Sequence, residues 1–362
     1  MRNKIILVVG QVPPPYHGQA ISTKRFLEGN YQNAELVHLN LSFSTSLDQV
    51  GKFQFHKILK LFTTVVKVII YKLRFDCEAL YYMPCGGQRV ALYRDMIILL
   101  STRWLFSKVI YHFRSAGLSI AYQDLTWIEK RLVKLAFGKP DFTIRLSEFN
   151  PEDGKFLGSK RDIIIPNGME DHYRQGVKNQ DVINILYIGS IRETKGVGEL
   201  MQAISKLVDH GLKFKLRLAG KFHDEQFKGK VFDFVKSNER YVEYIGEING
   251  EAKWDIFATT DLLVFPSYYE NESFGLVTIE AMQFKIPVVA TNWRAIPGII
   301  QHQKSGLIVP IQNAETLAEA MQTLIVNPEL RIKMGEYGRK EYLEKYSLER
   351  FYSNFEKLFL EM

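Results

Sequence analysis

The sequence alternates between short apolar runs and amphipathic stretches along its whole length, and this alternation limits the fold more than any other feature. The runs in the first half that have the length of buried strands are Ile5–Val9, Leu80–Met83, Val109–His112 and Phe142–Leu146, with Ile163–Pro166 leading into a turn. Those in the second half are Ile183–Ile188, Lys215–Ala219, Val242–Ile245, Leu262–Phe265 and Val288–Ala290. Helical patterns such as Gly198–Asp209 lie between such runs. Regular β–α alternation is typical of parallel sheets covered by helices. With 362 residues, the chain is predicted to be an α/β protein with two parallel-sheet domains.

The order of the patterns predicts four segments. We expect a first domain over residues 1–170, a polar linker over 171–182 and a second domain over 183–342. The remaining residues, 343–362, contain an amphipathic stretch after a capping serine, which predicts a terminal helix. The linker is placed where a polar stretch separates two strand patterns, so that few buried contacts are expected to cross it.

Composition limits the compartment and the cofactors. Only two cysteines, Cys77 and Cys85, are present, so the sequence indicates neither a disulfide framework nor a zinc or iron–sulfur cluster. The first apolar stretch is too short for a secretion signal. No run approaches the ~20 apolar residues that cross a bilayer. We therefore expect a cytoplasmic protein.

The positive charge is concentrated in the first half. Residues 1–180 carry 25 Lys and Arg against 15 Asp and Glu, whereas the rest carries 22 against 25. The densest stretch, Lys52–Phe75, has cations among large apolar side chains and no acidic residue. As a helix it favours an anionic membrane surface or a lipid-linked phosphate substrate. The alternative is a core helix with a solvated basic rim. Nucleic acid is not expected, because no recognition fold accompanies the charge.

The most informative stretch is FPSYYENESFGLVTIEAMQFKIPVVA, in which seven residues separate Glu272 from Glu280. Gly275 stands before a predicted helix, whose exposed backbone N–H groups and dipole suit a diphosphate. Glu272 could bond sugar hydroxyls from the preceding loop, and Glu280 could accept from both hydroxyls of a ribose. The alternative is a surface loop with two ordinary glutamates.

With its Pro266, Phe-Gly-Leu and Glu-Ala-Met elements, this segment resembles the donor-site signature of the retaining glycosyltransferases of family 4. The resemblance implies the GT-B fold, in which two Rossmann-like domains face each other across a cleft. It also implies that the four residues directly after Glu272 contribute to donor binding. These are Ser273, Phe274, Gly275 and Leu276.

A second stretch, LYIGSIRETKGVGEL, is similar to the family's glycine loop. Lys195 matches the lysine that would neutralise the donor diphosphate. The family usually has Gly-Arg where this chain has Gly189-Ser190, so either Arg192 supplies the cation or one phosphate contact is weaker. The resemblance further implies that the backbone around Gly246 and Ile248 borders the nucleotide base.

The matches in the first half are looser. The loop before Gly18 resembles the family's proline-then-glycine loop, so Gly18 is predicted to approach the donor phosphate and His17 to contact the acceptor or a phosphate. His112 matches a histidine on the acceptor side of the reaction centre, with a structural strand-end role as its alternative. Arg114 is a candidate for an acceptor phosphate. The turn at Asn167 resembles a structural Pro-Asn-Gly turn of the family.

The resemblance implies retaining transfer of a hexose-type sugar from a nucleotide diphosphate sugar to a hydroxyl of a lipid-linked or surface-polysaccharide glycan. The catalytic candidates are Glu272, Lys195 and His112. No cofactor or metal is expected, because no Asp-x-Asp follows a strand where a metal-dependent sugar transferase would need it. A peripheral position on the inner face of the membrane fits the basic first half, and the terminal segment resembles a last helix that returns to the first domain. The alternatives are a nucleotide-sugar epimerase and a catalytically idle, donor-binding scaffold of a polysaccharide assembly complex.

Overall fold

The computed structural model of the chain describes residues 3–14, 18–41, 55–84, 89–114, 117–177 and 181–362. It divides into two compact units. Unit 1 contains Met1–Met169 and Leu348–Met362, and unit 2 contains Glu170–Ser347. Each unit carries a six-stranded sheet in which the paired strands are parallel. The prediction of an α/β chain with two parallel sheets is therefore confirmed.

Unit 1 has the strand order β2-β1-β3-β4-β5-β6. Its strands are β1 Lys4–Gly10, β2 Ala34–Asn40, β3 Ala79–Tyr82, β4 Lys108–His112, β5 Phe142–Arg145 and β6 Arg161–Ile164. Its helices are α1 Gly18–Glu28, α2 Phe55–Phe75, α3 Arg89–Thr102, α4 Leu118–Ala121, α5 Trp127–Phe137, α6 Asp153–Leu157 and α14 Leu348–Glu361.

The sheet of unit 1 has a core on each face. On one face Val68 of α2, Leu92 of α3 and Val133 of α5 pack with apolar side chains of β1, β3 and β4. On the other face Phe26 of α1 and Phe355 of α14 pack together, with ring centroids 4.5 Å apart. The last helix of the chain is therefore part of the core of unit 1.

Unit 2 has the strand order β12-β11-β10-β7-β8-β9. Its strands are β7 Ile183–Ile188, β8 Phe214–Ala219, β9 Val242–Gly246, β10 Leu262–Phe265, β11 Val288–Thr291 and β12 Gly306–Val309. Its helices are α7 Val197–Asp209, α8 Glu225–Ser237, α9 Glu251–Ala258, α10 Leu276–Gln283, α11 Ile296–Ile299, α12 Ala314–Val326 and α13 Pro328–Glu341. The amphipathic helices α7 and α12 bury their apolar sides in one core against β7, β8 and β10.

Two strands have no counterpart in the sequence prediction, and both lie at a sheet edge. Ala34–Asn40 carries polar and charged residues and is only partly buried, whereas Gly306–Val309 is four residues long and begins with glycine. An edge strand is hydrogen-bonded on one side only and is less buried, so it lacks the continuous apolar run of a central parallel strand.

The polar segment at the start of the predicted linker is part of unit 2. Asp171 accepts two hydrogen bonds from the guanidinium of Arg339, at 2.6 and 2.8 Å. The His172 ring stacks on Trp254 with centroids 4.1 Å apart. The start of this polar segment is therefore held to the rest of unit 2 by an ion pair and by ring stacking.

Candidate functional site

The site in unit 2 lies where the direction of strand succession reverses. The chain runs outward from β7 to β8 and β9, then returns to the other side of β7 as β10 and continues to β11 and β12. The loops that follow β7 and β10 therefore leave the same sheet edge side by side. In open α/β sheets, ligands bind in the crevice formed at such a point.

The two loops are locked together by backbone contacts. The amide of Tyr268 donates to the carbonyl of Thr194 at 3.0 Å. Gly196 has a φ of +73°, and a Cβ there would lie 2.1 Å from the carbonyl oxygen of Pro266. Only glycine allows both this left-handed conformation and this close approach.

The centre of the site is an ion pair between the two loops. Lys195 Nζ lies 2.5 Å from Glu272 Oε2, and the side chains are 15% and 11% exposed. Ser267 Oγ donates to the same carboxylate oxygen at 3.2 Å. The structure thus brings together two residues that separate motifs identified. A mostly buried carboxylate needs such a partner, because an unpaired charge would not remain ionised there.

Tyr269 places a second cation beside Lys195. Its ring lies 4.8 Å from Lys195 Nζ and 5.2 Å from the guanidinium carbon of Arg192, distances typical of cation–π contacts. Trp293 donates its indole N–H to the Tyr269 carbonyl at 2.8 Å and so fixes this part of the loop. Ser190, at the position where the family usually has arginine, accepts a hydrogen bond on its backbone oxygen from Tyr187.

The start of α10 has the geometry of an anion-binding helix terminus. Gly275 caps the helix with a φ of +75°, and Thr278 Oγ1 donates to its carbonyl at 2.8 Å. Phe274 is buried against Tyr346, whereas Ser273 and Leu276 are half-buried beside the cap. The N–H groups of the first turn and the positive end of the helix dipole therefore point out of α10.

Glu280, further along α10, is held in the same way as Glu272. Its Oε1 lies 2.5 Å from Lys253 Nζ, and the side chain is 10% exposed. Lys253 also lies 5.0 Å from the Trp254 ring. Each of the two glutamates identified by their spacing therefore has its own lysine partner.

Glycines end the three neighbouring strands β7, β8 and β9. Gly189 donates to the Ala219 carbonyl, and Gly220 donates to the Gly246 carbonyl at 2.8 Å. A Cβ on Gly220 would lie 1.8 Å from the Gly189 oxygen. The three strands therefore end in residues that have no side chain. Ile248, which follows β9, is half-buried.

Of the candidates in unit 1, His112 and Arg114 are buried, whereas Gly18 is exposed. Gly18 begins α1, whereas His17 lies outside the described residues. His112 is fully buried: its Nδ1 forms a hydrogen bond with the Tyr81 hydroxyl, and its ring centroid lies 6.0 Å from that of Phe355. Burial first, and the nearby charge of Arg114 second, hold the pKa of His112 well below its usual value. His112 Nε2 is also buried and has no hydrogen-bond partner among the described residues.

Arg114 belongs to a buried polar cluster. Its Nη1 donates to Asn167 Oδ1 at 2.7 Å and to the hydroxyl of Ser22, which itself donates to the same amide oxygen at 2.6 Å. The turn predicted to be structural is therefore tied to α1 and to the end of β4. The side chain is 4% exposed, and the pKa of Arg114 is lowered by this burial.

Sequence reasoning missed Tyr269, Lys253 and Gly220. Tyr269 and Lys253 act on residues distant in the chain, so no local spacing reveals them. Gly220 had a usable signal, because it follows the strand LRLA directly, as Gly189 follows β7. In the part of the chain that the structure describes, no three His, Cys, Asp or Glu side chains are grouped as metal ligands.

Known proteins share both the fold and part of the sequence. The Anabaena protein HepE, solved in complex with UDP, superposes with a TM-score of 0.75 over 99% of this chain and 100% of its own, at 16% identity. N-acetyl-alpha-D-glucosaminyl L-malate synthase of Bacillus anthracis is 29% identical over 189 residues, 52% of this chain and 47% of that relative. The capsular polysaccharide biosynthesis glycosyltransferase CapM of Staphylococcus aureus is 27% identical over 194 residues, 53% of this chain and 49% of CapM. The match thus spans about half the length of each of these two relatives.

The chain has the fold of the GT-B glycosyltransferases, as the resemblance implied. The family model of the glycosyl transferases group 1 matches residues 169–341. The residues that match this family model nearly coincide with those of unit 2.

Proposed function

We propose that the protein is a retaining glycosyltransferase that moves a hexose-type sugar from a nucleotide diphosphate sugar to a hydroxyl of a lipid-linked or surface-polysaccharide glycan. The observation that carries the proposal is the Lys195–Glu272 pair at the reversal point of the sheet, 2.5 Å between Nζ and Oε2. At this point Lys195 offers a cation for a phosphate, and the neighbouring Glu272 offers a hydrogen-bond acceptor for a sugar hydroxyl.

Each group around this pair has a role suited to its chemistry. Lys195 and Arg192 would neutralise the diphosphate together with the start of α10, and Arg192 would replace the arginine absent at Ser190. Glu272 would accept hydrogen bonds from the sugar, and Glu280 from the ribose. The bare backbone at Gly189 and Gly246, with Ile248, leaves room for the base.

The reaction needs no protein nucleophile. The bond between the anomeric carbon and the diphosphate oxygen breaks, and the acceptor oxygen bonds to that carbon on the same face. The acceptor proton passes to the departing diphosphate. The protein would stabilise the negative charge that develops on the diphosphate through Lys195, Arg192 and α10, so we propose transfer without a metal ion. Gly18 is proposed to approach the donor phosphate, whereas roles for His17, His112 and Arg114 at the acceptor remain predictions.

The acceptor class and location are supported by charge and by relatives. The basic residues of unit 1 suit a phosphate-bearing lipid-linked glycan at the inner face of the membrane. The name of CapM refers to capsular polysaccharide biosynthesis. HepE was solved with UDP, so UDP is the first nucleotide to test.

The test is thermal-shift titration with UDP, GDP, ADP and their sugar conjugates in the presence of EDTA. We expect one base to stabilise the protein, with the shift lost in Lys195→Ala and Glu280→Ala. Lys206→Ala, which removes a lysine paired with Glu315 on α7 and α12, serves as the matched control and should keep the shift. No shift with any nucleotide would refute the donor site.

Product analysis with the selected donor and lipid-linked acceptors separates the remaining alternatives. Transfer with retained anomeric configuration supports the proposal. Interconversion of the nucleotide sugar would identify an epimerase, and binding without turnover on any acceptor would identify a scaffold.

A further inference from the structure

We propose that the outer surface of α2, α3 and α5 in unit 1 docks on an anionic lipid bilayer. We call this surface the three-helix face. This proposal deepens the proposed function and rests on it, because an enzyme that acts on a lipid-linked acceptor must reach that acceptor at a membrane. Its evidence, however, is independent of the donor site.

The three helices lie side by side on one face of the first sheet, where α3 contacts both α2 and α5. Their inward side chains share a single core with β1, β3 and β4. Their outward apolar side chains are therefore on the opposite side, away from the sheet. The exposed ones include Leu59, Phe62, Val66, Ile70 and Leu73 on α2, Val90, Tyr93, Ile97 and Leu100 on α3, Trp104 in the next turn, and Trp127, Ile128, Leu132 and Leu135 on α5.

On α2 this exposure runs from Leu59 to Leu73. The five residues Leu59, Phe62, Val66, Ile70 and Leu73 follow one another at intervals of three, four, four and three, which places them in one stripe along the helix. Leu73, at the end of the stripe, is 75% exposed. Water-soluble monomers rarely leave a large contiguous apolar patch uncovered, so a stripe flanked by two more helices of the same character indicates a docking surface.

The charge on these helices identifies the occupant. Lys60, Lys67 and Arg74 each follow directly after a residue of the apolar stripe, and α2 contains no acidic residue. On α3 and α5 the acidic residues are Asp95, which is buried, and Glu129, which accepts from the Tyr93 hydroxyl and the Thr126 amide. A cationic apolar surface complements anionic headgroups over acyl chains.

The same charge argues against a second copy of this chain as the occupant. Two identical basic surfaces that face each other would bring like charges together as they lose water, which is unfavourable. Trp104 and Trp127, each 72% exposed, add a preference for the membrane interface, where an indole ring can bury its body and hydrate its N–H.

No helix in the described ranges is long and apolar enough to cross a membrane. Docking by the three-helix face therefore means that the helices lie in the plane of the interface. The apolar stripe would enter the boundary between headgroups and acyl chains, while the lysines remain at headgroup level.

The test is sedimentation of the full chain with vesicles of phosphatidylcholine alone or with 30% phosphatidylglycerol. Lys60→Glu/Lys67→Glu should weaken binding to the anionic vesicles by more than about 30-fold, because each basic residue near such a surface contributes about fivefold. Phe62→Ser/Leu73→Ser should abolish the binding that persists at high salt. Ile332→Ser/Lys333→Glu, an exposed apolar–basic pair on α13 of unit 2, is the matched control and should bind as wild type.

Nucleotide thermal shift on the same samples separates this inference from the donor site. Lost vesicle binding with an unchanged nucleotide shift supports the three-helix face. Wild-type protein that does not sediment with anionic vesicles at low salt overturns it, whatever the nucleotide result. So does a concentration-dependent dimer, measured by sedimentation equilibrium, that both three-helix variants abolish. Failure of the nucleotide shift alone counts against the proposed function and leaves the docking surface standing.

Discussion

Opposite charge changes in the Lys195–Glu272 pair should move nucleotide affinity in opposite directions. In the structure the ammonium is held by the carboxylate at 2.5 Å. If Lys195 neutralises a diphosphate and Glu272 serves the sugar, a nucleoside diphosphate without sugar competes with Glu272 for the lysine. Glu272→Gln should then tighten UDP binding, whereas Lys195→Met should weaken it.

The geometry sets the size of both effects. A phosphate oxygen that contacts the ammonium at ~2.8 Å lies within about 5 Å of the carboxylate oxygen. One unit of like charge at about 5 Å costs about 0.8 kcal/mol in water and about 3 kcal/mol at an effective dielectric constant of ~20. With side chains 15% and 11% exposed, the site lies between these limits. Glu272→Gln should therefore improve the Kd for UDP at least about fourfold.

Loss of the lysine removes a charge-assisted hydrogen bond, which contributes about 1.5–3 kcal/mol. Lys195→Met should accordingly raise the Kd for UDP by between about 10-fold and 150-fold. It also leaves Glu272 without its cation, so its thermal stability must be recorded alongside. The binding free energy of the double variant should differ from that of each single variant and from the value expected if their two effects were additive, because the two side chains share one interaction.

The assay is isothermal titration calorimetry with UDP, or with the nucleoside diphosphate that gives the largest thermal shift, in EDTA. Lys206→Met and Glu315→Gln break a second ion pair of unit 2 and should leave the Kd unchanged. If Glu272→Gln weakens binding as much as Lys195→Met does, the carboxylate is not a competitor for the lysine, and the division of roles between the two residues is wrong.

Three further changes test other parts of the structure. Arg192→Gln should raise the Kd for UDP by about tenfold in the same calorimetry, because a charge-assisted hydrogen bond is lost. An unchanged Kd would mean that Arg192 does not replace the arginine that the family usually has at the position of Ser190. Folding lowers the pKa of His112, so the unfolded chain binds a proton at this residue more readily than the folded chain does. The free energy of unfolding should therefore fall as the pH drops below about 6.5, by up to ~1.4 kcal/mol per pH unit. His112→Asn should flatten that part of the Tm–pH curve, and an unchanged slope would contradict the burial argument. Gly220→Ala should lower the free energy of unfolding by about 3 kcal/mol or more, because the new Cβ would lie 1.8 Å from a backbone oxygen. At Gly229 in helix α8 a Cβ would point into open space, with nothing within 4 Å, so Gly229→Ala should raise the free energy of unfolding by up to about 1 kcal/mol in the same denaturation experiment.

The parts of the fold that could be predicted are those where burial leaves a mark on the sequence. The observed bounds of β7 and β10 match the predicted ones, Ile183–Ile188 and Leu262–Phe265. Both strands are central, so both of their faces demand apolar residues. The edge strands β2 and β12 carry no such demand and were not foreseen.

The site shows the same limit. Lys195 and Glu272 were each identified from their own motif, yet nothing in the spacing of 77 residues indicates that they form a pair. That contact depends on β10 lying next to β7, and strand order is a property of the sheet rather than of either motif. The burial of His112 likewise depends on an element distant in the sequence, because Phe355 of α14 packs on its ring.

Charge balance in unit 2 links these observations to the proposed chemistry. Glu272 and Glu280 are each matched by one lysine, so these four groups are neutral together. A diphosphate therefore brings negative charge that the two pairs do not already compensate. Arg192 is a further cation near Lys195: it contacts the Tyr269 ring, and its Nε has no hydrogen-bond partner among the described residues. A guanidinium held by an aromatic face rather than a carboxylate keeps its donors available for an anion. We therefore propose that Arg192 makes the phosphate contact for which the family usually has an arginine at the position of Ser190, and the Arg192→Gln calorimetry tests this proposal.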